Sequence, residues 1–134
     1  MAHILVVDDA ASVRNMVRNT LAEAGHEVTT ACDGVEGIKA TTRARFDAIV
    51  TDVNMPEMDG IQMTQILRSR HTYAQTPILM LTTEGRAAVI KQGKRAGATG
   101  WIVKPFNGDK LVAAIERLLA MDAPRRGGRL RQAG

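Results

Sequence analysis

Short, nearly continuous apolar runs alternate along the chain with longer stretches in which apolar residues recur every three or four positions. His3–Val7 (HILVV), Asp47–Thr51 (DAIVT), Pro77–Thr82 (PILMLT) and Gly100–Val103 (GWIV) read as strands covered on both faces. Glu27–Ala31 (EVTTA) is more polar, which suits an edge strand. Between these runs, Ser12–Ala24 places Val13, Met16, Val17, Leu21 and Ala24 on one helical face, with Ser12 as expected N-cap and Gly25 as expected stop. Val35–Arg43, Gly60–Arg70, Arg86–Ala96 and Asp109–Met121 complete the helical set; Asp59 is expected to cap the third, Gly97 to end the fourth and Asn107 to open the fifth. The order is (βα)5, an α/β chain with a parallel sheet and helices on both faces, because each crossover must be right-handed. Such sheets carry their ligands at the carboxyl edge.

Composition narrows this picture. At 134 residues the chain fits one domain. With 45% hydrophobic and 24% charged residues it can build a core rather than stay disordered. Aromatics are scarce, so aliphatic side chains and Met, including Met55, Met58, Met63 and Met80, are expected to fill core and loops. The single Cys32 excludes an internal disulfide and a Cys-rich metal site, and is expected to be small and buried. His3, His26 and His71 show no ligand spacing. No run approaches the ~18 apolar residues of a membrane span and no leader pattern opens the chain, so a cytoplasmic location is expected.

The net charge of +4 hints at nucleic acid until it is divided. Residues 122–134 carry Arg125, Arg126, Arg129 and Arg131 against Asp122, so most of the excess belongs to this Pro-, Gly- and Arg-rich tail. The expected organisation is a folded domain at 1–121 and a disordered basic tail, or a remnant of expression, at 122–134. No aromatic interleaves the tail arginines, and no nucleic-acid or membrane partner is expected.

Asp8 and Asp9 follow the first strand, Asp52 the third, Thr82 and Thr83 the fourth, and Lys104 the fifth. A parallel sheet brings these ends together. Three carboxylates in one place repel each other unless a cation intervenes, and hard oxygen donors match Mg²⁺. Lys104 adds a point charge for an anion, and a hydroxyl at Thr82 can hold one of its oxygens. A carboxylate, a divalent ion, a lysine and a hydroxyl together suit phosphoryl transfer to an aspartate, with Asp52 the best nucleophile because it stands alone at a central strand end.

VVDD at Val6–Asp9, TDVNMPEMDG at Thr51–Gly60, LTTEG at Leu81–Gly85 and GWIVKPF at Gly100–Phe106 resemble the receiver domain of two-component response regulators, over residues 3 to about 121. Within that family the chain is most similar to CheY-type single-domain chemotaxis regulators. The resemblance implies a flavodoxin-like three-layer sandwich with strand order 2-1-3-4-5. It implies Asp52 as phosphoacceptor from a CheA-like histidine kinase, and Mg²⁺ held by Asp9, Asp52 and the Asn54 backbone carbonyl, with Asp8 acting through water. Thr82 becomes the switch hydroxyl, Trp101 the switch aromatic in a place usually held by Tyr or Phe, and Lys104 the partner of the phosphoryl group. The Lys104–Pro105 peptide is implied to be cis, Thr83 to border phosphoryl access, and Asn54 and Glu84 to tune dephosphorylation.

The output implied is protein binding at the face of the fourth helix, fifth strand and fifth helix, with Lys91, Lys94, Arg95, Ile102 and Lys110 contributing. A FliM-like flagellar motor switch protein is the implied target, and a monomer is expected. The same receiver could instead serve as a phosphorelay shuttle, a phosphate sink or a cell-cycle regulator. An aspartyl-phosphate hydrolase is the enzyme-class alternative. Haloacid-dehalogenase-type phosphatases place a second Asp where this chain has Asn54, which cannot act as acid or base. The chain is therefore expected to catalyse only its own phosphorylation and dephosphorylation.

Overall fold

The computed structural model describes residues 1–121 with their side chains and the backbone on to Ala133; the tail expected at 122–134 lies outside the residues described in full. Five strands, β1 (His3–Val7), β2 (Glu27–Ala31), β3 (Ala48–Thr51), β4 (Ile78–Thr82) and β5 (Gly100–Val103), alternate with α1 (Ala11–Glu23), α2 (Gly34–Arg43), α3 (Gly60–Arg68), α4 (Ala87–Ala96) and α5 (Gly108–Ala133). All strand pairs are parallel, in the order β2-β1-β3-β4-β5. The topology is the doubly wound one expected from the alternating pattern.

Alternation within the strands divides the core. Ile4, Val6, Ala48, Val50, Leu79 and Leu81 point to one face and pack with Val17 and Leu21 of α1 and Leu111 and Ile115 of α5. Leu5, Val7, Ile49 and Ile78 point to the other and meet Met63 and Leu67 of α3, with Phe46 and Tyr73 closing that side. The near-continuous apolar runs are thus explained by burial on both faces.

Helix boundaries follow local hydrogen bonding, and the start of α1 and the end of α3 differ from expectation. Asp59 caps α3 through a reciprocal pair: its carboxylate accepts the Gln62 N–H at 2.7 Å, and the Gln62 side chain accepts the Asp59 N–H at 3.0 Å. Asp33 caps α2 from one side only: its carboxylate accepts the Glu36 N–H at 2.8 Å, while the Glu36 carboxylate accepts the Cys32 N–H at 3.0 Å. Ser12, expected to cap α1, lies inside it. The Asp8 carboxylate instead accepts the Ala10 N–H at 2.9 Å, which turns the chain early, so that Ala10 becomes the N-cap with no side-chain bond of its own. The third helix stops at Arg68, short of the expected Arg70, and a 3₁₀ turn at His71–Tyr73 follows. Gly97 ends α4 at φ 115°, a conformation that favours glycine. Cys32 is half-buried rather than buried, at the exit of β2. Among the described residues, no helix is long and apolar enough to cross a membrane.

The capping box gives a direct test of how α3 is held. Asp59→Ala is expected to lower the urea midpoint by the equivalent of about 1 kcal/mol, whereas Asp59→Asn, which keeps the acceptor, should lose much less.

Candidate functional site

The strand register determines which side chains can meet. Val7 pairs with Thr51, Thr51 with Met80, and Thr82 with Val103. The ladder runs one step further, with Asp52 N–H donating to Val7 O at 2.9 Å and Lys104 N–H to Thr82 O at 2.8 Å. Asp8, Asp52, Thr82 and Lys104 therefore leave the sheet at one edge within a residue or two of the same level. Asp9 follows Asp8 and faces outward, exposed.

The ammonium of Lys104 occupies the centre. Its Nζ lies 2.9 Å from Asp8 Oδ2 and 3.3 Å from Asp52 Oδ2, and the three side chains are only 13%, 4% and 11% exposed. Burial pushes the Lys104 ammonium down, but the hydrogen bond to Asp8 and the charges of Asp52 and Asp8 outweigh it, and the net shift is upward. The remaining carboxylate oxygens are held by main chain: Asp8 Oδ1 by Ala10 N–H, and Asp52 Oδ1 by the Val53 N–H at 2.7 Å. Arg14, one turn into α1, donates to the Asp8 carbonyl. Gly60 is closed against this corner as well, since any side chain there would overlap the Asp52 carbonyl.

Asp8, Asp9 and Asp52 each present a carboxylate oxygen, and these oxygens lie within 4.8 Å of one another. One ammonium against three carboxylates leaves the cluster net negative. Hard oxygen donors with two charges to spare fit a small divalent ion, and Mg²⁺ matches that donor set.

Around this centre the other expected residues take distinct places. The Thr82 hydroxyl is fully buried and accepts the Glu84 N–H at 3.1 Å. Thr83 and Asn54 are exposed at the rim, and the Lys104–Pro105 peptide is cis. Trp101 is half-buried, its Nε1–H donating to the Glu84 carbonyl at 2.8 Å. Its ring lies where a Cβ on Gly93 would be, so α4 offers it a notch. Val103 is the exposed apolar residue of β5, while Ile102 packs against the core; Lys91, Lys94, Arg95 and Lys110 are exposed. Arg14, Gly93 and Arg86 were not singled out for the site from the sequence. Nothing in residue type marks them, because each acts through a contact that only the folded chain creates.

Carboxylates and a lysine gathered at the carboxyl edge of a (βα)5 sheet define a receiver-type site, and the comparisons agree. The model of the response regulator receiver domain matches residues 4–116, and the chain belongs to that family. A chemotaxis protein CheY1 from Helicobacter pylori is 39% identical over 118 residues, covering 87% of this chain and 95% of that one. The structure of chemotaxis protein CheY4 from Vibrio cholerae superposes with a TM-score of 0.85 at 49% identity, over 88% of this chain and 98% of that chain. The receiver domain of the Pseudomonas aeruginosa sensor histidine kinase PA1611, at 27% identity and TM-score 0.83 over 89% of this chain and 98% of its own, carries a magnesium ion coordinated in its active site cleft.

Two measurements follow from this geometry. Because the folded state raises the Lys104 value, its stabilising contribution is complete below the unfolded lysine range near ~10.4 and is lost as pH rises through the higher folded value. Wild type is therefore expected to lose urea resistance above about pH 10.5 more steeply than Lys104→Met, in which this titration is gone. Gly93→Ala should displace the indole toward solvent. The emission of the single Trp should shift to the red, and stability should fall by roughly 1–3 kcal/mol from overpacking, less the helix gain of Ala over Gly.

Proposed function

We propose that this chain is a phosphorylation-switched signalling protein of a two-component system, most similar in role to chemotaxis regulators, with Asp52 as its phosphoacceptor. The observation that carries the reading is the shared ammonium. Lys104 sits between Asp52 and Asp8 on a buried edge, where it offsets charge on an incoming phosphoryl group as well as on the carboxylate. In the transfer step one Asp52 oxygen attacks phosphorus. The P–N bond of a kinase phosphohistidine breaks, the imidazole keeps the bonding pair, and it takes up a proton. The product is an acyl phosphate on Asp52.

Asp9, Asp52 and the Asn54 carbonyl would hold Mg²⁺, with Asp8 behind them acting through water. When bound, the ion supplies positive charge against the phosphoryl oxygens. Lys104 then follows the phosphoryl group, and the Thr82 hydroxyl, now engaged by the Glu84 N–H, donates to it instead. That exchange loosens the Thr82–Glu84 bond, and the Glu84 carbonyl carries the change to the Trp101 indole. The output is a changed face of α4, β5 and α5 for a protein target. CheY-type relatives support a chemotaxis output; a CheA-like kinase and a FliM-like switch protein are the partners that such an output implies. Asn54 leaves the site without the second acid that a phosphate-ester hydrolase uses, so phosphorylation is stoichiometric and without turnover of an external substrate.

Incubation with phosphoramidate and Mg²⁺ should add one phosphoryl group per chain by intact mass. Asp52→Asn should take none while keeping its far-UV spectrum, and EDTA should stop labelling of the wild type. Full labelling of Asp52→Asn would overturn the assignment. So would repeated turnover of a chromogenic phosphate ester.

A further inference from the structure

The loop after β4 contains an arrangement that the phosphoacceptor reading does not use. All three polar handles of Glu84 are engaged. Its N–H goes to the Thr82 hydroxyl and its carbonyl to Trp101. Its carboxylate is gripped by Arg86: Nε to Oε2 at 2.8 Å, one terminal nitrogen to Oε1 at 2.7 Å, and the Arg86 backbone N–H to Oε2 at 3.1 Å. The guanidinium lies outermost, 78% exposed, and covers a carboxylate side chain that is 9% exposed. These hydrogen bonds hold Glu84 down at about 2, so the pair stays charged at every physiological pH.

An ion pair whose cation is this exposed adds little to stability. Its effect lies in direction and charge. The fork turns the Glu84 carboxylate onto the entrance of α4, whose N-cap is Arg86 itself. It also neutralises that carboxylate on the loop whose Glu84 N–H is bonded to Thr82, the strand end that shares an edge with three carboxylates and one ammonium. Released, Glu84 would put an uncompensated negative charge on the loop that is bonded to Thr82 at the carboxyl edge, the edge an anionic phosphoryl donor approaches.

We propose that Arg86 is a positioning residue: by pinning and neutralising Glu84 it keeps the approach to Asp52 open to anionic phosphoryl donors. The proposal rests on Asp52 being the phosphoacceptor.

The test compares labelling rates of wild type, Arg86→Ala, Glu84→Ala and the double variant, with Mg²⁺, at low and at high salt. Acetyl phosphate, a dianion near neutral pH, and phosphoramidate, a monoanion there, are the two donors. At low salt Arg86→Ala should label with acetyl phosphate roughly three- to tenfold more slowly than wild type, and with phosphoramidate less so, since one uncompensated charge acts over about a Debye length. The deficit should shrink at high salt, and Glu84→Ala added to Arg86→Ala should restore the rate of Glu84→Ala alone. A general loss of structure would produce neither the rescue nor the salt dependence. Equal or faster labelling of Arg86→Ala at low salt would overturn the proposal, as would a double variant as slow as Arg86→Ala. Failure of the phosphoacceptor reading looks different: the wild type would take no label, or Asp52→Asn would take it equally.

Discussion

A single ammonium shared by two buried carboxylates governs the carboxyl edge of this sheet. Doubly wound sheets bring strand ends together whether or not their side chains tolerate it. Here they bring Asp8 and Asp52 to one point with Asp9 beside them, at a depth where like charges interact strongly. Lys104 reaches both carboxylates from the far strand, and the main-chain donors of Ala10 and Val53 take their other oxygens. The compensation is partial. It leaves a net negative site suited to a divalent ion and an anion together, and it makes the same lysine available to whichever oxygen carries the greater charge.

The demands of that edge reach into the surrounding fold. Asp8 starts α1 by holding the Ala10 N–H, and Arg14 of the same helix returns to the Asp8 carbonyl. Gly60 opens α3 without a side chain because the Asp52 carbonyl fills the space one would need. Helices on both faces of the sheet are thus seated by the residues that form the site, so the acidic corner and the packing around it are one construction.

The fold was largely legible in the sequence, since strands buried on both faces write themselves as continuous apolar runs and Asp59, Gly60 and Gly97 punctuate the helices. The site was legible for the same reason: Asp8, Asp9, Asp52, Thr82 and Lys104 each follow or end such a run. What stayed hidden depends on contacts across the chain. Ser12 looked like a cap because its residue type favours one, and it lost to the Asp8 carboxylate, which reaches the backbone first. Asp33 was readable in principle, as an Asp three residues before a Glu. Val103 is the exposed apolar residue of β5 and Ile102 is partly buried against the core, because β5 directs alternate side chains to opposite faces and the run GWIV does not say which face is covered. The Glu84–Arg86 fork is a local pair in an irregular loop, where no periodicity announces it.

The pairing of Trp101 with Gly93 shows where this chain is soft. A glycine inside a helix costs about 1 kcal/mol relative to alanine, yet at this position it admits an indole that no larger residue would. Gly93 is also the one buried residue of α4, which otherwise leans on α3 and exposes its charged side. α4 meets β5 through this aromatic contact and otherwise packs on α3, while α1 and α5 are anchored by aliphatic side chains in the core. Trp101 is in turn tied to the Glu84 carbonyl, and Glu84 to the Thr82 hydroxyl at the carboxyl edge of the sheet. A helix with so little of itself in the core is moved by a small change at that contact more readily than one anchored by aliphatic side chains. The β4–α4 loop thus links the carboxyl edge at Thr82, through Glu84 and Trp101, to the face of α4.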